Sequence, residues 1–521
     1  MQSGFPRARL QSNYELPENS ARYIVIKSRP ESVQSGFLMA GGCNVSFDLI
    51  EEIIHPRSIA VVGATLARGF GGGGFVESLL EFDFKGGLYP INPKHSEIMG
   101  LAAYPSLKEI PEPVDYVISC VPAVAVPALL EDAANKGVKT VHLFTARLSE
   151  TGRPEAVDLE QSILKLAQGH GIRLIGPNCM GIYYPLWGMA FHADFPKESG
   201  AAGLVCQSGM ISREIIQGSA QRGVYFSKCF SYGNAVDLNE SDFLEYLAHD
   251  RDTRVIMMYI EGVRQGRKFF DTLKRAAALK PVVILKGGMA EAGARATASH
   301  TASLAGSYQT WKAMVDQAGA VSADSLEELI DLAASFYFLP PVKGRRVGVI
   351  GGTGGSSVLA ADKCEQAGLE VIPFPPEFRE KLKTQGVSVW DWLSNPVDSS
   401  IREDDSFSIG LLLEMMAQDS HFDLLITMTG MGRFGAEPGV AYEDYLKQQY
   451  RLDACKDKPF LTVVPDRSPG IKDLNNRTSK VTAEVRTALI NLKIPFYPTI
   501  ARAAFAAAKM IGYYRRLEPD D

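Results

Sequence analysis

Ser58-Ile-Ala-Val-Val-Gly-Ala-Thr-Leu-Ala-Arg-Gly-Phe-Gly-Gly-Gly-Gly74 runs from apolar and small residues into a string of glycines. Its opening positions show no polar alternation, which reads as a strand buried on both faces, and the glycines read as a tight turn into a helix. The same apolar runs recur at Gly87-Leu-Tyr-Pro-Ile-Asn92, Asp115-Tyr-Val-Ile-Ser-Cys-Val121, Thr140-Val-His-Leu-Phe-Thr145 and Arg173-Leu-Ile-Gly176. Helical patterns at Ala123–Lys136 and Pro154–Gly169 separate them. Strands alternating with helices pair in parallel through right-handed crossovers, so the first unit is a Rossmann-like α/β domain.

The alternation restarts at Gly203-Leu-Val-Cys-Gln-Ser-Gly209 and continues through Val224–Ser231, Val255–Glu261 and Pro281–Gly287, with helices expected over Ser303–Gln317 and Ser325–Phe338. Leu339-Pro-Pro-Val-Lys-Gly344 reads as a hinge. A third unit opens at Arg346-Val-Gly-Val-Ile-Gly-Gly352, has strands at Asp423–Thr429 and Phe460–Pro465, and closes on an alanine-rich helix over Ala501–Arg516. The expected organisation is an N-terminal extension over 1–45, a Rossmann-like domain over 46–190, and two doubly wound α/β domains over 191–340 and 341–521. Three such domains suit a chain of 521 residues, at about 100–200 residues each.

Composition narrows the function classes. Lys+Arg of 54 against Asp+Glu of 60 leaves a net charge of -6 with no basic block, which disfavours a nucleic-acid partner. No apolar run is long enough to span a membrane. The stretch before Met39 is polar and lacks the apolar core of a secretory signal. Seven cysteines without a C-x-x-C pair read as reduced thiols of a cytoplasmic protein and argue against a structural metal.

Three strand-to-helix junctions could carry chemistry. After the first strand, Gly63 to Gly74 would let backbone N–H groups approach an anionic phosphate, although such glycines equally serve close packing. The second strand ends on Lys94, where a dinucleotide binder would carry a carboxylate, which suits a phosphate-bearing adenosine ligand. At Cys206-Gln-Ser-Gly209, Ser208 and Gly209 either cap a helix or expose N–H donors to a phosphate. The third junction is the small-residue segment Glu291–Gly306 around His300. An imidazole can attack phosphorus when a carboxylate fixes its tautomer, and Glu261 at a strand end is the natural carboxylate.

Over about residues 46–515 the chain resembles the NDP-forming acyl-CoA synthetases, which include succinyl-CoA synthetase and ADP-forming acetyl-CoA synthetase. The resemblance rests on Pro56-Arg-Ser-Ile-Ala-Val-Val-Gly-Ala64, Tyr89-Pro-Ile-Asn-Pro-Lys94, Gly176-Pro-Asn-Cys-Met-Gly181, Gln207-Ser-Gly209, Tyr259-Ile-Glu-Gly262, Ser299-His-Thr301, Leu304-Ala-Gly306 and Asn395-Pro-Val-Asp398. It implies a CoA-binding domain followed by two flavodoxin-like domains. It further implies His300 as the phosphorylated histidine, Glu261 as its stabilising carboxylate, Ser208 and Gly209 as the phosphate site, and Gly63, Thr65, Lys94, Val121 and Pro122 as CoA-binding positions. The implied reaction is that of an α subunit: acyl-CoA, phosphate and ADP interconvert with a small organic acid, CoA and ATP. ADP or ATP and Mg2+ would sit on a separate ATP-grasp β subunit of a hetero-oligomer. The competing expectation is a CoA- or acyl-CoA-binding regulatory protein without turnover. Trp390 and Trp392 read as core rather than as an aromatic-acid pocket.

Overall fold

Ser58–Val62 forms the buried strand expected of the opening stretch, here β1, and leads through the glycine turn into helix α2, Gly71–Glu81, preceded by α1, Phe47–Ile54. The computed structural model describes residues 47–293, 308–401, 408–428, 441–455, 458–465 and 476–517. The extension expected over 1–45 and the candidate His300 lie outside the described residues.

The first sheet adds β2 (Gly87–Ile91), β5 (Tyr116–Ser119), β6 (Thr140–Leu143) and β7 (Arg173–Ile175) in the order β2-β1-β5-β6-β7. Every pair in it is parallel. A two-stranded hairpin, β3 (Glu97–Ile98) with β4 (Leu101–Ala102), stands beside it. The crossover helices follow local rules. Helix α3, Val126–Lys136, carries a proline in its first turn and stops at Gly137 in the left-handed conformation, while α4, Pro154–Gly169, begins on proline.

The second sheet runs β13-β12-β11-β9-β10-β8, from β8 (Gly181–Tyr183), β9 (Ala202–Cys206), β10 (Phe226–Ser231), β11 (Val255–Ile260), β12 (Val282–Lys286) and β13 (Val321–Ala323). Its strands are parallel except β8, which pairs antiparallel with β10 at the edge. The chain therefore crosses into the second sheet between Ile175 and Gly181, ahead of the boundary expected at 190. Helices α5 (Gly209–Ala220), α6 (Glu240–His249) and α7 (Gly266–Leu279) make its crossovers.

The third sheet is all parallel in the order β15-β14-β16-β17-β18, built from β14 (Val347–Gly352), β15 (Val397–Asp398), β16 (Leu424–Met428), β17 (Phe460–Val463) and β18 (Phe496–Tyr497). Asn395 holds its edge: Oδ1 accepts from Val349 N, and Nδ2 donates to Val347 O and Ile372 O. The alanine-rich terminal helix Ile500–Arg516 packs back on the second unit. There the Tyr513 ring meets Phe336 at 5.3 Å and its hydroxyl donates to Ala277 O at 2.8 Å. One apolar core consequently runs from the first sheet through the second to this helix. Among the described residues no helix is long and apolar enough to cross a membrane.

Candidate functional site

In the first sheet β1 has β2 on one side and β5 on the other, so right-handed crossovers carry the following helices to opposite faces. The gap left at the strand C-termini is where open α/β sheets bind ligands. Gly63, at the end of β1, donates its N–H to Ile91 O at 3.1 Å. Asn92 ties the end of β2 to the same turn through Nδ2 to Ala64 O at 2.6 Å, and its Oδ1 accepts the Lys94 N–H at 2.8 Å. Thr65 and Lys94 are exposed at this edge. The glycine run has a packing reason as well: a Cβ on Gly73 would stand 1.8 Å from Ala67 O, so only glycine lets the first turn of α2 lie against the turn.

The second sheet repeats the arrangement around β9, between β11 and β10. Ser208 is the N-cap of α5, its Oγ accepting from Ile211 N at 3.4 Å, so the capping alternative is met. The cap leaves the N–H groups of the first turn aimed beyond the helix start, where an anion is favoured. Gly209 lets that start approach Met180, whose Cγ would lie 2.6 Å from an added Cβ. Glu261 follows β11 and is 7% exposed. Gln207 anchors it from the next strand: Oε1 accepts both the Glu261 N–H at 2.7 Å and the Gly262 N–H at 3.0 Å. Tyr259 donates its hydroxyl to Glu261 Oε1 at 3.3 Å, and burial together with the Glu261 charge pushes that phenol up. Lys286, at the end of β12, donates to Glu261 O at 2.7 Å, and burial lowers its ammonium.

A cleft of about 540 Å³ joins the two strand-end crevices. Val121 and Pro122 line it from the first sheet, and Gln207, Ser208 and Gly209 from the second. The structure thus brings together four of the sequence-derived site residues, Val121, Pro122, Ser208 and Gly209. Gly63, Thr65 and Lys94 stand at the same edge of the first sheet outside that lining, and Glu261 lies behind Gln207. Trp390 packs against the core of the third unit, whereas Trp392 is 65% exposed rather than buried, and neither lines the cleft. Cys120 also lines it, with burial pushing its thiol up to about 12, so it stands there as a neutral thiol.

Two cleft residues escaped the sequence reading as site residues. Gln207 lay within a quoted motif, but its partners are more than fifty positions away. Asn234, 3% exposed, spans the first two units: its Nδ2 donates to Glu150 Oε2 at 2.7 Å and to Glu160 Oε2 at 3.1 Å. Both amide hydrogens therefore turn toward carboxylates, and Oδ1 has no hydrogen-bond donor among the described residues. Nothing around Asn234 in the sequence signals this pairing.

The cleft wall at Asn178–Met180 rests on a buried histidine. His142 Nε2 lies 3.1 Å from Cys179 O, and burial lowers this imidazole to about 4, the hydrogen bond opposing the shift. A histidine depressed in the folded state binds fewer protons there than in the unfolded chain, so stability rises with pH across the gap. Acidification is expected to cost stability progressively from about 6.5 down to about 4, by up to about 3 kcal/mol. His142→Gln should flatten this portion of the profile, read from urea midpoints between pH 7 and pH 4.5. Parallel profiles for parent and variant would assign the acid sensitivity elsewhere.

Residues 57–185 match the family model described as a CoA binding domain, and residues 199–336 match the succinyl-CoA ligase like flavodoxin domain. The chain is 37% identical over 382 residues to acetate–CoA ligase (ADP-forming) I of Archaeoglobus fulgidus, covering 73% of this chain and 54% of that protein. It is 35% identical over 388 residues to the α subunit of acetate–CoA ligase (ADP-forming) II of Pyrococcus furiosus, covering 73% and 82%. A solved structure of Ca. Korarchaeum cryptofilum dinucleotide forming acetyl-coenzyme A synthetase 1, in complex with phosphate and ADP, superposes with a TM-score of 0.75. That match has 29% identity and covers 90% of this chain and 97% of the other. The chain spans about half the length of the first curated relatives it matches, 54% of one and 49% of the next.

Proposed function

Because the chain belongs to the ADP-forming acyl-CoA synthetase and succinyl-CoA synthetase superfamily, matching its acetate–CoA ligase α subunits, we propose that it handles CoA and phosphate for an acid–CoA ligase. The observation that carries this reading is the single cleft shared by Val121 and Pro122 of the first unit and Gln207, Ser208 and Gly209 of the second. Its volume of about 540 Å³ falls within the range of about 300–1,000 Å³ usual for small-molecule sites.

In the proposed reaction, CoA lies along the C-terminal edge of the first sheet, with Gly63, Thr65, Lys94, Val121 and Pro122 as its contacts. Phosphate sits at the start of α5 against Ser208 and Gly209, where the helix dipole favours its charge. A phosphate oxygen attacks the thioester carbonyl, the C–S bond breaks, and CoA leaves with a proton, forming the acyl phosphate. The His300 imidazole then attacks phosphorus, the bond to the acyl oxygen breaks, and the acid departs as carboxylate. Glu261 accepts the hydrogen bond of the other ring nitrogen and balances the cation that forms. Finally ADP, held with Mg2+ on an ATP-grasp β subunit in a hetero-oligomer, takes the phosphoryl group from nitrogen to give ATP. We place the protein in the cytoplasm, in keeping with six described cysteines that are all free thiols.

The test supplies labelled inorganic phosphate with acyl-CoA thioesters, with and without an ATP-grasp subunit. Acid-labile, base-stable label on the chain is expected, and none on His300→Asn. A wild-type chain that binds CoA yet takes no label in either setting would move the protein to the regulatory class.

A further inference from the structure

Strand β6 ends on Leu143, and the turn that follows it, Phe144-Thr-Ala-Arg147, lines the main cleft. Arg147 adopts φ +70, a backbone conformation that glycine enters freely and other residues rarely adopt. The turn is held from three sides. Thr145 Oγ1 donates to Val121 O at 2.8 Å, and Thr145 O accepts the Asn178 N–H at 2.9 Å. Behind the turn, the Glu150 carboxylate accepts the N–H of Arg147 and, at 3.1 Å, the N–H of Leu148. Asn234 fixes that carboxylate from the second unit, donating to Glu150 Oε2 at 2.7 Å. Backbone strain persists only where the surroundings over-determine it, and it gathers at ligand sites.

Resting on the ligase reading above, we propose that Arg147 binds the reacting phosphate, meeting it from the first unit while the start of α5 meets it from the second. Three observations carry this. The first is charge: among the described residues that line the cleft, Arg147 bears the only ionised side chain, because burial keeps the thiols of Cys120 and Cys179 neutral. The second is availability. The guanidinium is exposed and forms no ion pair with a described carboxylate, while the nearby Glu150 is taken up by N–H donors. The third is place. Arg147 lines the same cleft as Ser208 and Gly209, whereas Lys94, suited to the phosphate-bearing adenosine of CoA, stands outside that lining. A guanidinium presents a planar fork to two phosphoryl oxygens at once, a geometry that an ammonium lacks. Glycine would fit this turn without strain but offer an anion nothing, so the residue at φ +70 serves the ligand rather than the backbone. Arg147 forms no covalent bond and moves no proton in this role; it lowers the phosphate concentration that the cleft requires.

The test is calorimetric titration of the full chain with inorganic phosphate and, separately, with CoA. Arg147→Gln keeps most of the aliphatic stem and removes the charge. It is expected to weaken phosphate binding at least about tenfold, with CoA affinity within about twofold of wild type. Arg147→Lys restores the charge without the fork and should fall between the two. Arg147→Gly separates binding from folding: it fits φ +70, so its urea midpoint should not fall, while its phosphate affinity drops as in the glutamine variant. Phosphate affinity unchanged in the glutamine and glycine variants would overturn the assignment and leave the ligase reading standing, as would a wild-type chain that binds CoA but no phosphate. A loss of CoA affinity as large as the loss for phosphate would place the guanidinium on the phosphates of CoA and overturn it too. A wild-type chain that binds neither would overturn the ligase reading itself.

Discussion

His300→Asn is expected to reduce turnover by at least about 10³-fold while leaving CoA affinity within about twofold. Asparagine is neutral, polar and of similar girth, so it removes the nucleophilic nitrogen with little else. The proposed CoA contacts, Val121 and Pro122, lie at the end of a strand of the first sheet. Strand β12 ends on Lys286, which donates to Glu261 O. Glu261→Gln serves as the graded companion. Its backbone stays fixed, because Gln207 holds the N–H groups of Glu261 and Gly262 whatever the side chain carries. Losing only the charge proposed to balance the phosphohistidine is expected to cost roughly 10²-fold. Steady-state ATP synthesis from acyl-CoA, phosphate and ADP, run with the ATP-grasp subunit, reads both. A His300→Asn enzyme within tenfold of wild type would refute the covalent route.

Asp331→Ala carries the largest expected effect on stability. The Asp331 carboxylate is 2% exposed and sits between two guanidinium groups, accepting from Arg222 Nη2 at 2.9 Å and from Arg502 Nε. Arg222 follows α5 in the second unit, and Arg502 lies in the terminal helix that the chain reaches only after the third sheet. Burial raises the Asp331 carboxyl even against both cations and lowers Arg222, so desolvation outweighs the attraction. The intact triad therefore adds little net stability, but a broken one leaves two partly buried guanidinium groups facing each other without their shared carboxylate. A loss of about 3–5 kcal/mol is expected. It should appear as earlier release of the third unit in urea, and not as a uniform shift, because a chain of several units does not unfold in one step. A transition displaced by less than about 0.5 kcal/mol would show that water or another carboxylate replaces Asp331.

Local pattern carried much of this protein. Unbroken apolar runs with helices between them specify buried parallel strands, and those expected from Ser58, Asp115, Thr140, Gly203, Val255 and Pro281 all form, within one residue of those starts. Helix α4 begins on the expected Pro154 and ends at Gly169, because a proline start and a glycine-rich exit are signals within a few residues of the boundary. The motif order from Pro56 to Asp398 was enough to indicate the family. Other features depended on which strand lies beside which, and periodicity reports only the buried face of an element. The antiparallel edge strand β8 is three residues long, too short to show a period, and its partner β10 begins 45 positions later. The meeting of Val121 and Pro122 with Ser208 and Gly209 follows from docking one sheet edge against another. So do the anchoring of Glu261 by Gln207, the pairing of Asn234 with Glu150 and Glu160, and the Asp331 triad. Each joins residues from separate elements whose spacing along the chain is arbitrary. The residue types at the site were therefore written in the sequence, while the convergence of Val121, Pro122, Ser208 and Gly209 on one cleft came from the packing of two sheets.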